Sequence, residues 1–273
     1  MKRSVLSLFA FAAVALLAVS ASAGEFCSNK NYYGGDKESA VDLREMTIPS
    51  TGSIDVDSGK NGGIAVKGEN RSDVLVRACV RSWADTGAEA KNIVDTTRIE
   101  TSPTIRATNS GESSKYSVSF EILVPYQTSL KLRAHNGGIS IKSVQGDMDF
   151  STLNGGLSLT DVAGDVKGRT TNGGVKVSLV GTTWSGTGLD VQTTNGGVKL
   201  ALPTNYAANI ETGTVNGGFK SDFPELQVQK DPNQKYYQRN KNVSASLNGG
   251  GALIRVKTTN GGVKIGAADG VEQ

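Results

Sequence analysis

The chain has 273 residues, with 29 lysines and arginines against 26 aspartates and glutamates, one histidine and two cysteines. A formal charge of +3 gives no electrostatic case for nucleic acid or an anionic membrane. Glycine is abundant (34) and aromatic residues are few (6%), which suits short strands joined by tight turns and argues against the bulky core of a large enzyme.

Residues 1–23 read as a secretory signal. Lys2 and Arg3 precede the apolar run Val5 to Val19, and Ala21-Ser22-Ala23 is a small-x-small cleavage site. Cleavage after Ala23 leaves Gly24 to Gln273 and lowers the charge to +1, that is 29 − 2 = 27 cations against 26 acids. Gly24-Glu25-Phe26 before Cys27 does not fit a lipoprotein site, so no lipid anchor is expected, and no later stretch is apolar enough to span a bilayer. The expected location is the periplasm, the cell surface or the medium. In an exported chain the pair Cys27 and Cys79 predicts a disulfide, and closing a loop of about 50 residues contributes roughly 4 kcal/mol by chain entropy.

Residues 24–44 read as an N-terminal arm or loop. Apolar and polar residues then alternate through Met46-Thr47-Ile48 and Ile54-Asp55-Val56, a strand signal. The first Asn-Gly-Gly stands at 61, before Ile64-Ala65-Val66. Asp73 to Trp83 reads as a longer strand, Asp85 to Asp95 as the one short helix, and Arg98 to Thr108 and Lys115 to Val124 as strands. Pro125 ends the last of these, because proline cannot donate to a ladder.

From Asn136 the chain repeats. Asn-Gly-Gly recurs at 136, 154, 172, 195, 216 and 260, with a variant at Asn248. An apolar-x-apolar triplet follows each of the first three: Ile139/Ile141, Leu157/Leu159 and Val175/Val177. A second signature, Val144-Gln-Gly-Asp147-Met148, returns as Val162-Ala-Gly-Asp165-Val166. Two different turn signals alternating at a fixed period favour a coil that revisits the same corners over a meander of hairpins. The predicted fold is therefore all-β: a single-stranded parallel β-solenoid over residues 45–265, with turn repeats of about 18–23 residues and a polar tail at 266–273. Crossover handedness makes it right-handed.

In that register Ile139, Leu157 and Val175 form one inward column, while Ser140, Ser158, Lys176, Lys199, Lys220 and Lys264 point outward. The glycines and asparagines are expected at positive φ, and the asparagines at 136, 154, 172, 195, 216 and 260 as structural turns stacked in an internal amide ladder. Gly181 to Gly188 reads as an insertion, and Ser221 to Asn242 as an excursion that leaves the stack. Leu253 to Ile265 is expected as the last rung. Open rungs need covers, assigned to the N-terminal strands with the helix and to 221–247 with the tail.

Several of these motifs occur in a fixed order: Tyr116 to Pro125, Leu130 to Ile139, the Val-x-Gly-Asp pair, the Thr-Thr-Asn-Gly-Gly-Val repeats and Leu247 to Gly251. In this the chain resembles the bacterial DUF4097 family of adhesin-like proteins over residues 45 to 265. The resemblance implies a surface β-solenoid and brings no catalytic motif with it.

The residues themselves supply little chemistry. His135 is the only histidine, so neither a histidine metal cluster nor an obvious triad is available. Asp147 and Asp165 occupy equivalent places in successive coils, a spacing that would suit a glycan-cleaving carboxylate pair, but an aspartate at a turn more simply caps its own backbone. Trp184 in the insertion and Tyr236 and Tyr237 in the excursion are the aromatic candidates for recognition. Lys176, Lys199, Lys220 and Lys264 are candidates for a basic stripe. The expected function is non-enzymatic binding to a cell-surface glycan or an envelope protein, without metal or cofactor. A polysaccharide-active enzyme and a purely structural envelope protein are the alternatives.

Overall fold

The computed structural model describes residues 26–28, 37–111, 115–228 and 241–268. The signal segment, Tyr236 and Tyr237 lie outside the described residues. The chain forms an open all-β sheet with helix α1 (Gly87–Thr96) near its N-terminal end.

Period-two patterning turns directly into burial. In β9 (Ile139–Asn154) and β10 (Leu157–Asn172) alternate side chains are buried, and the two strands pair in parallel, with Leu157 opposite Ile139, Val162 opposite Val144 and Asn172 opposite Asn154. β11 (Val175–Ser178) continues the column by placing Val175 opposite Leu157. A one-residue slip would turn every apolar side chain outward, so burial holds the register.

Each Asn-Gly-Gly corner joins two sheet faces. On the face after the corner the order is β3 (Ile64–Glu69), β9, β10, β11, β13 (Val198–Leu202), β18 (Val263–Ala267) and β15 (Phe219–Ser221). On the face before it the order is β2 (Ser53–Asp57), β8 (Ser129–Asn136), the ends of β9 and β10, β12 (Gly188–Asn195), β17 (Leu253–Asn260) and β14 (Ala208–Asn216). This order departs from chain order. The 253–267 coil is not the last rung: it lies between the 188–202 and 208–221 coils. The N-terminal coil is interleaved in the same way, with β3 lying between β9 and β7 (Tyr116–Pro125).

The outer edges are covered mainly by antiparallel strands. β16 (Lys241–Leu247) pairs antiparallel with β14 at one end. At the other, β7 pairs with β4 (Asp73–Ala84) and β4 with β1 (Glu38–Pro49), while the hairpin of β5 (Thr97–Glu100) and β6 (Ile105–Asn109) joins β2 through β6. The expected arm is thus a strand from Glu38, and the stretch from Arg98 to Thr108 is a hairpin. Helix α1 starts where the Thr86 side chain accepts from the Glu89 N–H, and it packs Ala90 and Ile93 near Ala84.

The corner glycines serve a purpose other than positive φ. In Gly137, Gly155, Gly173, Gly196 and Gly261 a Cβ would lie 2.0–2.1 Å from the carbonyl oxygen of the equivalent glycine one rung away. The first glycine is required because two backbones come too close for any side chain. Beside it the asparagines do form an amide ladder, in the spatial order Asn61, Asn136, Asn154, Asn172, Asn195, Asn260, Asn216, with N···O distances of 2.8–3.0 Å. The ladder is not internal: all but half-buried Asn61 are exposed. The buried partner is the threonine two residues earlier. Thr152, Thr170, Thr193, Thr258 and Thr214 each donate to a first-glycine carbonyl of the neighbouring rung at 2.7–2.8 Å. Each such bond contributes about 1 kcal/mol net.

Cys27 and Cys79 are joined by a disulfide across a separation of 52 residues. It ties the N-terminal segment to the fully buried middle of β4. Replacing Cys27 by serine and Cys79 by alanine should therefore lower unfolding stability by about 2–4 kcal/mol, measured as a shift of the denaturant midpoint. An unchanged midpoint would show that residues 26–28 add nothing to the fold.

Candidate functional site

The apolar side chains of the rungs are buried inward, so the outward columns and the grooves beside them are what the fold presents to a ligand. On the face before the corner, one column lies five residues ahead of each repeat asparagine from Asn136 on, and Asp55, six ahead of Asn61, continues it in register with Lys131. In spatial order it reads Asp55, Lys131, Asp149, Lys167, Asp190, Arg255, Glu211. Charge alternates at every step. Lys131 lies 3.3 Å from Asp55, and Arg255 bridges Asp190 at 3.3 Å and Glu211 at 2.8 Å. Lys167 turns sideways to Asp165 at 2.8 Å. The hydrogen bond from Arg255 holds the Glu211 carboxyl below its ordinary range, and the one that Lys167 donates to Asp165, helped by the charges of Asp147 and Asp149, raises Lys167. Opposite charges across strands are worth a few tenths to about 1 kcal/mol per pair.

A cleft of about 810 Å³ opens on this face, between the β1–β2 turn, the β5–β6 hairpin and rungs β8 to β10. Its floor includes Ile54, Ile105, Leu130 and Met148, and its rim Asp55, Asp147, Asp149, Asp165, Lys131 and Lys167. The in-register pair Asp147 and Asp165 therefore does reach a cleft. Asp165, however, is held by Lys167, and Asp147 is exposed, its backbone N–H donating to the Ser129 hydroxyl at 3.3 Å. His135 is exposed at a corner on a different part of the surface. Among the described residues no group of three or more His, Cys, Asp or Glu is placed to hold a metal ion.

The face after the corner is built differently. Lys176 lies opposite Lys199, Lys199 opposite Lys264, and Lys264 opposite Lys220. All four are exposed, and none has an acidic partner among the described residues. Like charges directly opposite one another cost a few tenths of a kcal/mol per pair, up to about 1. The alternating column shows how this same stack neutralises its charges elsewhere; the lysine column carries that cost unrelieved. A shallow trough of about 520 Å³ runs into it, lined by Phe26, Ala65, Phe120, Ser140 and Ser158 and ending at Lys176.

Trp184 does not belong to the exposed set. It is 8% exposed, and its indole N–H donates to the Gly164 carbonyl at 3.0 Å. The Gly164 N–H in turn donates to Ser185 O at 2.8 Å, and Gly186 stacks on Gly164. Trp184-Ser185-Gly186 thus stands where Val162-Ala163-Gly164 stands one rung earlier. Residues 181–188 are a disguised copy of the second corner, and Trp184 is an inward core residue. The missed signal was the apolar-x-glycine spacing, hidden by a larger side chain and a lost aspartate.

Two sheet faces of stacked strands with covered edges, and one helix among the described residues, define an all-β protein with an open sheet. The chain belongs to the Toastrack DUF4097 family, whose model matches residues 25–266. Solved structures similar to it include a putative cell adhesion protein from Clostridium sporogenes, with 9% identity, 84% of this chain and 100% of that one covered, and a TM-score of 0.46. A putative adhesin from Bacteroides fragilis shares 10% identity over 84% of this chain and 97% of its own, with a TM-score of 0.36. A putative lipid binding protein from Parabacteroides distasonis has the same identity and coverages, 10%, 84% and 97%, with a TM-score of 0.34. No curated protein matches the chain by sequence. No helix among the described residues is long and apolar enough to cross a membrane.

Proposed function

We propose that this chain is an exported, non-enzymatic protein of the cell envelope that works by binding a surface glycan or an envelope protein through the flank of a right-handed parallel β-solenoid. The observation that carries this reading is the column Lys176, Lys199, Lys264, Lys220, a line of like charges without acidic partners among the described residues, on a fold that alternates its charges on the other face. Export is supported by the positive start, apolar run and Ala-Ser-Ala of residues 1–23, and by the Cys27–Cys79 disulfide, which suits an oxidising compartment. The adhesion-related names of similar structures agree with a surface role and add no weight of their own.

The cleft around Asp147 and Asp165 favours a second reading, a polysaccharide-active enzyme. Against it stands the Lys167–Asp165 ion pair, which ties one carboxylate of the pair to a neighbouring cation. Purified protein incubated with intact cells and envelope polysaccharides separates the two. Saturable binding that leaves the glycan at its original length is expected. Shortened products that vanish in the Asp147→Asn/Asp165→Asn variant would replace the binding reading with the enzyme. Absence of binding to cells and to every envelope fraction would leave only a structural role.

A further inference from the structure

The lysine column and the trough form a single line. Read along the stack axis, the same outward position is Ala65, Ser140 and Ser158, then Lys176, Lys199, Lys264 and Lys220. At about 4.8 Å per rung the line is roughly 30 Å long and one side chain wide. Its first part is a shallow trough in which Gly138 and Gly156 hold no side chain beside Ser140 and Ser158, with half-buried Phe26 in its wall. Its second part is lysine alone. Lys142, two residues along from Ser140, is exposed and adds a further cation beside the trough.

Resting on the binding reading above, we infer that this line is a track for a linear acidic polysaccharide lying along the stack axis. Sugar rings rest in the shallow trough, against Phe26 and beside the Ser140 and Ser158 hydroxyls, and carboxylates of the following residues reach the lysines. A repeating anion meets a repeating cation, so each further sugar adds a contact that is already held in place by its neighbours. The shape favours a polymer over an anionic bilayer. A bilayer surface calls for a broad basic face with apolar side chains to insert, whereas this line is narrow and the apolar side chains of its rungs (Ile139, Leu157, Val175, Val198, Val263) are buried inward. The four lysines have no acid to hold them among the described residues, so they meet the ligand without first breaking an ion pair.

The test measures binding of purified protein to polygalacturonate of graded length, to neutral dextran, and to phosphatidylglycerol vesicles. Saturable binding to polygalacturonate is expected, tightening with chain length and weakening steeply as salt is raised. Dextran should not compete. Lys199→Gln/Lys264→Gln should weaken binding on the order of tenfold, and Ser158→Leu, which fills the trough without touching a charge, should weaken it as well. Lys91→Gln, on the exposed side of helix α1 and away from both the trough and the cleft, should leave it unchanged. All of these positions are on the surface, so an unaltered melting curve shows that the fold is kept. Polygalacturonate binding that ignores the lysine and trough variants would overturn the track. Vesicle binding equal to or tighter than polygalacturonate binding would also overturn it, in favour of a membrane surface. If cells are bound but polygalacturonate is not, the track fails and the broader binding reading survives. If neither is bound, both fail.

Discussion

Gly173→Ala should destabilise the protein by about 2–4 kcal/mol, while Gly174→Ala, one residue further on, should cost under about 1 kcal/mol. The two glycines share a corner and a sequence environment, so propensity alone does not separate them. Geometry does. A Cβ on Gly173 would lie 2.0 Å from Gly155 O and 2.4 Å from Gly155 C, both backbone atoms that hold a neighbouring rung. A Cβ on Gly174 would lie 3.4 Å from Gly197 O, close to ordinary contact. Relieving the first clash means separating two rungs at a point where the Thr170 hydroxyl donates to Gly155 O at 2.7 Å and the Leu157 N–H donates to Gly174 O at 2.9 Å. Denaturant unfolding of the two variants side by side measures the difference. Equal midpoints would mean that the corner is soft enough to absorb a methyl group, and close approach would then not explain the repeated first glycine.

A second large effect concerns the interleaved coil. Ending the chain after Gly251 removes β17 and β18, which pair with β12 and β13 on one side and with β14 and β15 on the other. Loss of a terminal rung would only fray an end, as in any stack stabilised by nearest neighbours. Loss of an interior rung leaves residues 208–221 and β16 with no ladder to the rest of the stack. The expected result is loss of ordered structure through 208–247, a cost above about 5 kcal/mol and comparable to the whole stability of a small domain. Limited proteolysis and amide exchange report it directly. A truncated chain that melts within a few degrees of the full protein, with 208–221 still protected, would show that the 208–221 coil can dock straight onto 188–202. Charge argues against that docking. Asp190 would then face Glu211, two carboxylates in register where Arg255 now stands between them.

The same residues show why sequence reading stopped where it did. The repeat period and the inward alternation place Ile139, Leu157 and Val175 correctly, because a side-chain period of two and a fixed return to the corner are local properties. The Trp184 corner was missed because a tryptophan in an eight-residue, glycine-rich stretch looks like an exposed loop. It becomes a core residue only when Gly186 stacks on Gly164 and Trp184 takes the place of Val162. The lysines were legible as outward positions, but that they neighbour one another, without acidic partners among the described residues, became visible only once the register was known.

From the sequence alone came the class of architecture, the family, the corner positions and the pairing of Cys27 with Cys79. All of these rest on short-range pattern or on chemistry that needs no knowledge of rung order. Tertiary structure decided the order itself. Five residues before each repeat asparagine stand Lys131, Asp149, Lys167, Asp190, Glu211 and Arg255, so in chain order the alternation of charge fails at Asp190 and Glu211. Placing the last coil between its two predecessors brings Arg255 between those carboxylates and restores alternation along the whole column. Neighbours in a parallel stack are neighbours in space, and a charge five residues before a corner acquires a partner only when the fold chooses which corner lies beside it.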